Sequence, residues 1–139
     1  MGSFKAISCW SFPPPGEEEA FERHYWEVHV PLAAAIPGTL SLTLTRTDHG
    51  LEDAPPSYYR VAETVFESEQ ALAAAMATPE WAALRADAAA MHERFGVTLA
   101  NGLGTPHPVA LAAQPSAPGS AVPYPHIAGQ RNSGTGGEG

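Results

Sequence analysis

Basic residues are scarce in this chain. Seven Lys and Arg stand against fifteen Asp and Glu, for a formal net charge of −8. A face that neutralises nucleic-acid phosphates or an anionic membrane needs clustered cations, so neither partner is expected. Cysteine is limited to Cys9, which excludes an intrachain disulfide and leaves secretion without support. No run approaches the ~20 apolar residues of a membrane-spanning helix. The opening residues Met1-Gly2-Ser3-Phe4-Lys5 lack the basic start and apolar run of a signal peptide, and a cytoplasmic location is the expectation. There is no Gly-rich phosphate loop, Gly-x-Ser-x-Gly elbow or nucleotide fingerprint. His24 and His29 are five apart, whereas helical metal pairs are three or four apart. On an α-helix these two histidines do not share a face. No metal and no cofactor is therefore expected.

A chain of 139 residues fits one domain with a modest core. Composition shifts after Gly104. From 105 to 139 the chain is dominated by Pro, Gly, Ala and Ser, with Arg131 and Glu138 as its only charged side chains. Such a segment buries too little apolar surface to offset its ordering entropy. The expectation is a folded domain at 1–104 and a disordered tail at 105–139.

Within 1–104 the pattern alternates between strand and helix. Residues 4–10 read as a strand, broken by Pro13-Pro14-Pro15-Gly16. Glu17, Glu18 and Glu19 suit the positive end of a helix. Phe21, Tyr25, Val28, Leu32 and Ile36 then recur at helical spacing until Pro37-Gly38. Leu40, Leu42 and Leu44 alternate with Ser41, Thr43 and Thr45 in a half-buried strand. Residues 58–66, rich in aromatic and β-branched types, read as a third strand. Ser68 caps a short helix to 77. Thr78-Pro79-Glu80 then starts another, with a capping hydroxyl, Pro at the first position and an acid in the first turn. Trp81, Leu84, Ala88 and Met91 mark its buried stripe, Gly96 follows, and 97–101 is a last strand. The order is βαββαβ. It predicts an α+β, ferredoxin-like domain whose antiparallel four-stranded sheet carries both helices on one face. The first and third strands are apolar on both sides, so the uncovered face predicts a homodimer.

The run His24-Tyr25-Trp26-Glu27-Val28-His29-Val30-Pro31-Leu32 followed by Ile36-Pro37-Gly38 resembles the signature of the EthD family. Tyr59-Arg60-Val61-Ala62-Glu63-Thr64-Val65-Phe66 resembles its third-strand motif, and Thr78-Pro79-Glu80-Trp81 fits its second helix. The resemblance covers roughly residues 4–104. It implies a dimeric α/β barrel. It also implies kinship with ether- and aromatic-degradation and natural-product proteins, among them cofactor-independent isomerases, cyclases, decarboxylases and oxygenases.

His29 is the leading candidate for chemistry. It lies on the shoulder of the apolar stripe, one turn from Tyr25, beside Pro31. The proline has no N–H for the Glu27 carbonyl and pushes Val30 from helical angles, so a kink or break is expected there. A part-buried histidine in that setting suits proton transfer, and it equally suits a purely structural role. Glu63 is the second candidate. It shares a strand face with Val61 and Val65, and a buried carboxylate needs a partner, for which His29, Tyr25 or a dimer mate qualify. Trp10, Tyr25, Tyr59, Phe66 and Trp81 are core residues from which any cavity wall for a flat apolar ligand must be drawn. Arg46 is a further candidate for an anionic ligand. Three functions fit. The first is a cofactor-independent enzyme acting by His-assisted proton transfer on a small cyclic compound, through isomerisation, cyclisation or elimination. The second is a cofactor-free oxygenase of an electron-rich aromatic. The third is a non-catalytic small-molecule-binding or accessory protein.

Overall fold

A computed structural model describes residues 2–113. The tail expected from 105 onward falls outside the described residues after 113, and no regular secondary structure occurs over 105–113. The strands are β1 (Phe4–Trp10), β2 (Thr39–Arg46), β3 (Arg60–Phe66) and β4 (Leu99–Gly104). The helices are α1 (Glu18–His24), α2 (Val30–Ala34), α3 (Glu69–Met76) and α4 (Pro79–Phe95). A π-helical turn, Tyr25–His29, joins α1 to α2. All these elements lie in one unit, Met1–Thr47 with Tyr58–Pro106. The loop Asp48–Ser57 belongs to another unit and is closed within itself by the Gly50 N–H donating to the Ala54 carbonyl at 3.1 Å.

The capping chemistry read from the sequence is present. Ser68 Oγ accepts from the Ala71 N–H at 3.1 Å, and Thr78 Oγ1 accepts from the Trp81 N–H at 3.2 Å, each satisfying a donor the helix leaves open. Gly96 ends α4 at φ 72°, a left-handed position open to glycine, with its N–H on the His92 carbonyl at 2.8 Å. Glu18 and Glu19 sit in the first turn of α1.

The sheet has the order β2-β3-β1-β4 with every pair antiparallel, which is the ferredoxin-like arrangement. Two apolar clusters fill the space on its helix-covered side. One joins Trp10, Phe21, Tyr25, Tyr59, Ala88, Met91, Phe95 and Val97. The other joins Ile36, Phe66, Leu72 and Ala75, with Trp81 and Leu84 against it. The opposite side carries Lys5, Ile7 and Cys9 of β1 and the alternate β3 positions Val61, Glu63 and Val65, with Ile7 38% exposed.

Three boundaries differ from expectation. β3 begins at Arg60, so Tyr59 escapes the alternation and enters the core instead of sharing a side with Val61 and Val65. β4 begins at Leu99, because Val97 is fully buried in the first cluster as the chain leaves Gly96. The helix does not break at Pro31. Val30 keeps helical angles (φ −62°, ψ −44°), and Pro31 is accommodated in the first turn of α2.

Candidate functional site

The π turn shapes the site. In an α-helix the N–H of residue 31 bonds to the carbonyl of residue 27, and proline has no N–H to give. Instead the Val30 N–H reaches back five residues to the Tyr25 carbonyl, and the turn widens by one residue. Residues five apart are thereby stacked. His24 and His29, on different faces of a regular helix, converge on one carboxylate, that of Asp87 in α4. His29 Nδ1 lies 2.9 Å from Asp87 Oδ2; His24 Nε2 lies 2.9 Å from Oδ1 and 3.1 Å from Oδ2. The expectation that the two histidines point apart is corrected by this turn.

A carboxylate only accepts, so each ring must present an N–H to it. For neutral His29 the proton then sits on Nδ1 and the lone pair on Nε2. His29 is 8% exposed. It stacks on Tyr25 (centroids 5.9 Å, planes 16° apart) and meets Trp10 edge-on at 5.3 Å. Burial pushes the His29 pKa down. The hydrogen bond and charge of Asp87 push it up, His24 and Arg85 push it down, and the net displacement is downward from 6.5. His29 is thus held as a neutral base with a fixed tautomer.

Tyr25 is also braced by Phe21, stacked on it with centroids 5.7 Å apart, and by Arg60. The Arg60 guanidinium lies 4.9 Å from the Tyr25 ring centroid and 5.3 Å from that of Trp26. Arg60 Nε in turn donates to Glu22 Oε2 at 3.2 Å, and Tyr59 Oη donates to the same oxygen at 2.8 Å. Burial would raise the Glu22 pKa, but its bonds to Arg60 and Tyr59 and the Arg60 charge bring it below the usual carboxylate value. Desolvation carries the Tyr25 phenol up to about 12. That phenol is a hydrogen-bond donor at neutral pH, never a phenolate base.

A cavity of about 220 Å³ lies between the sheet and the helices. Its apolar wall includes Leu42, Leu44, Ala62, Leu84, Ala88 and Leu99; its polar lining is His29, Tyr25, Ser8, Thr64, Asn101 and Arg85. Ser8 Oγ donates to Asn101 Oδ1 at 2.7 Å across β1 and β4. The lining contains no Asp or Glu. Among the described residues no group of three or more His, Cys, Asp or Glu is placed to hold a metal ion, His24, His29 and Asp87 being bonded to one another instead, and no helix is long and apolar enough to cross a membrane.

Of the residues singled out from sequence, His29, Tyr25, Trp10 and Trp81 line this cavity. Tyr59 and Phe66 do not: the first is committed to Glu22 and the first core cluster, the second to the other cluster. Of the partners open to Glu63, His29 is excluded within one chain. β3 turns Ala62 and Thr64 toward the cavity and Glu63 to the opposite side, where Lys5 Nζ lies 3.5 Å from its carboxylate. Arg46 pairs with Glu18 at 3.6 Å, away from the cavity lining. Sequence reasoning missed Asp87, Arg85, Ser8 and Asn101. Asp87 left one signal, a carboxylate three residues after Leu84 and four before Met91, inside the buried stripe of α4.

Fold and site together define a ferredoxin-like α+β domain that encloses a small apolar cavity around a carboxylate-held histidine. The EthD domain family matches residues 13–94, and the chain belongs to that family. It is 37% identical over 75 residues to an uncharacterised 11.0 kDa protein of the thcB-thcC intergenic region of Rhodococcus erythropolis, a match spanning 54% of this chain and 72% of that one. An EthD family protein from Bacillus halodurans superposes with a TM-score of 0.57 at 26% identity, covering 72% of this chain and 96% of that one. A dimeric ferredoxin-like protein from Thermobifida fusca superposes at 0.55 with 17% identity, covering 75% and 91%.

Proposed function

We propose that this chain is a cofactor-independent enzyme that moves a proton on a small, largely apolar cyclic compound, aromatic, lactone or polyketide-like, in an isomerisation, cyclisation or elimination. The observation that carries the reading is the state of His29. Its Nδ1 is tied to Asp87, and the ring forms part of the wall of a largely apolar cavity. A base oriented by a carboxylate and kept neutral by burial is matched to abstracting a proton near pH 7. Nε2 accepts the proton and returns it at another atom, so no net acid or base is consumed. Asp87 fills the orienting role for which Glu63 was a candidate, and Tyr25 donates a hydrogen bond to the substrate.

The functional unit in this reading is a homodimer. Ile7, Cys9, Val61 and Val65 form an apolar strip on the sheet side without helices, and a second copy packed there buries it. Glu63 and Lys5 then belong to the interface. Light scattering at micromolar concentration should give twice the chain mass, and a single-chain mass refutes the dimer.

The reaction is tested by a thermal-shift screen of phenolic, lactone and polyketide-like compounds. Its hits are then incubated with the protein in deuterium oxide and followed by NMR. The protein should place deuterium at one carbon of a bound compound, and His29→Ala, folded by circular dichroism, should not. Exchange that survives intact in His29→Ala removes the proposal.

A further inference from the structure

Among the described cations, Arg85 is the one that lines the cavity. Lys5, Arg46 and Arg60 are each paired with a carboxylate, Arg94 lies 4.6 Å from the centroid of the Phe95 ring, and Arg23 shares a surface groove with Glu19 and Glu27. Arg85 has no ion pair and no hydrogen bond among the described residues. It stands on α4 four residues after Trp81 and three before Ala88, and all three line the cavity. No carboxylate shares that lining. Outside the cavity Arg85 shares a surface groove with Glu93, without an ion pair between them; on the cavity side no carboxylate answers its charge, in a chain whose net charge is −8.

A guanidinium is planar, always charged and suited to delocalised oxygen anions. The facing wall adds a second polar element. Asn101 Oδ1 is occupied by Ser8, so its amide N–H groups remain the free polar part of that side chain. We propose that Arg85 marks an anion subsite: the ligand is a small flat ring bearing an oxyanion, whether carboxylate, phenolate or enolate, held against Arg85 with its apolar body inside the cavity. The inference rests on the proton-transfer reading and narrows its substrate class. When His29 Nε2 takes a proton from carbon, the C–H electron pair moves to the adjacent carbonyl and charges its oxygen. A cation placed for that oxygen favours the enolate over the neutral ketone.

The test is binding by equilibrium dialysis at pH 8, with 4-nitrophenol as the oxyanion probe and 4-nitroanisole, its neutral methyl ether, as the control. The wild-type protein should hold the phenolate about tenfold more tightly than the ether, the scale of one partly exposed charge pair with a charged hydrogen bond. Arg85→Gln should bring the two affinities together, and Arg85→Lys should keep part of the preference. Because Arg85 is exposed, both variants should fold. Equal affinity of wild type for the two compounds, or a preference that persists in Arg85→Gln, overturns the anion subsite while the small-ring cavity stands. Failure of both compounds to bind overturns the subsite together with the cavity reading.

Discussion

Replacing Asp87 by Asn probes the site at the group that organises it. The carboxylate is 10% exposed and takes hydrogen bonds from two imidazoles. An amide of the same shape retains one acceptor oxygen and substitutes an N–H₂ for the other. With the oxygen at the Oδ2 position both rings can still donate to it, His24 through its 3.1 Å contact; with the N–H₂ there, His29 must present a lone pair. If His29 faces the N–H₂, its proton moves from Nδ1 to Nε2, and the cavity then meets a donor where it had a base. A hydrogen bond to a charged group contributes about 1.5–3 kcal/mol. For a domain of this size that loss lowers the melting temperature by about 10 °C. Asp87→Ala leaves both rings without that acceptor and should cost about 1–3 kcal/mol for each buried donor left unsatisfied. The decisive assay is ¹⁵N NMR of the histidine rings at pH 8. The wild-type protein should show His29 protonated at Nδ1, and Asp87→Ala, which removes the acceptor of that proton, should lose the Nδ1 preference, with deuterium exchange on a bound ligand down by two or more orders of magnitude. An unchanged Nδ1 tautomer in Asp87→Ala refutes the reasoning, whatever the melting temperature does.

Two further outcomes follow from protonation. Burial holds His29 below 6.5, so the folded chain binds that proton less readily than the unfolded one. The stability tied to neutral His29 is therefore complete above pH 6.5 and is lost as pH falls through the lower folded value. Melts from pH 8 to 5 should decline, and His29→Gln should decline less; parallel curves contradict this. Tyr25, carried up to about 12, should be missing from an ultraviolet phenolate titration ended at pH 11, and Tyr25→Phe should leave that titration unchanged.

Much of the fold was legible because its signals are local. Thr78-Pro79-Glu80 carries its own capping chemistry, Gly96 sits where a left-handed residue is required, and Leu42 and Leu44 alternate with Thr43 and Thr45 within one strand, whereas Leu40, at an irregularity in the β2–β3 pairing, is 64% exposed and departs from the alternation. The site was legible only in part. His29 stood out through its place beside Pro31 in an apolar stripe. Its partner is 58 residues away in sequence, and no spacing rule links the two. The π turn was hidden for a related reason. Sequence periodicity assumes one helical repeat throughout, and at Pro31 the structure yields on the repeat rather than on the helix. Glu63 was misplaced as a partner because alternation tells which residues share a side, not which side faces the helices.

The π turn also separates the two halves of its helix into independent phases. Upstream, Phe21 is set by the core; downstream, Val30 and Ala33 are set by the cavity wall. One additional residue in the turn acts as a slip joint, so the core-facing register of α1 and the cavity-facing register of α2 need not obey a common repeat. Ring and carboxylate meet at the joint itself, where drift from either half is absorbed before it reaches His29.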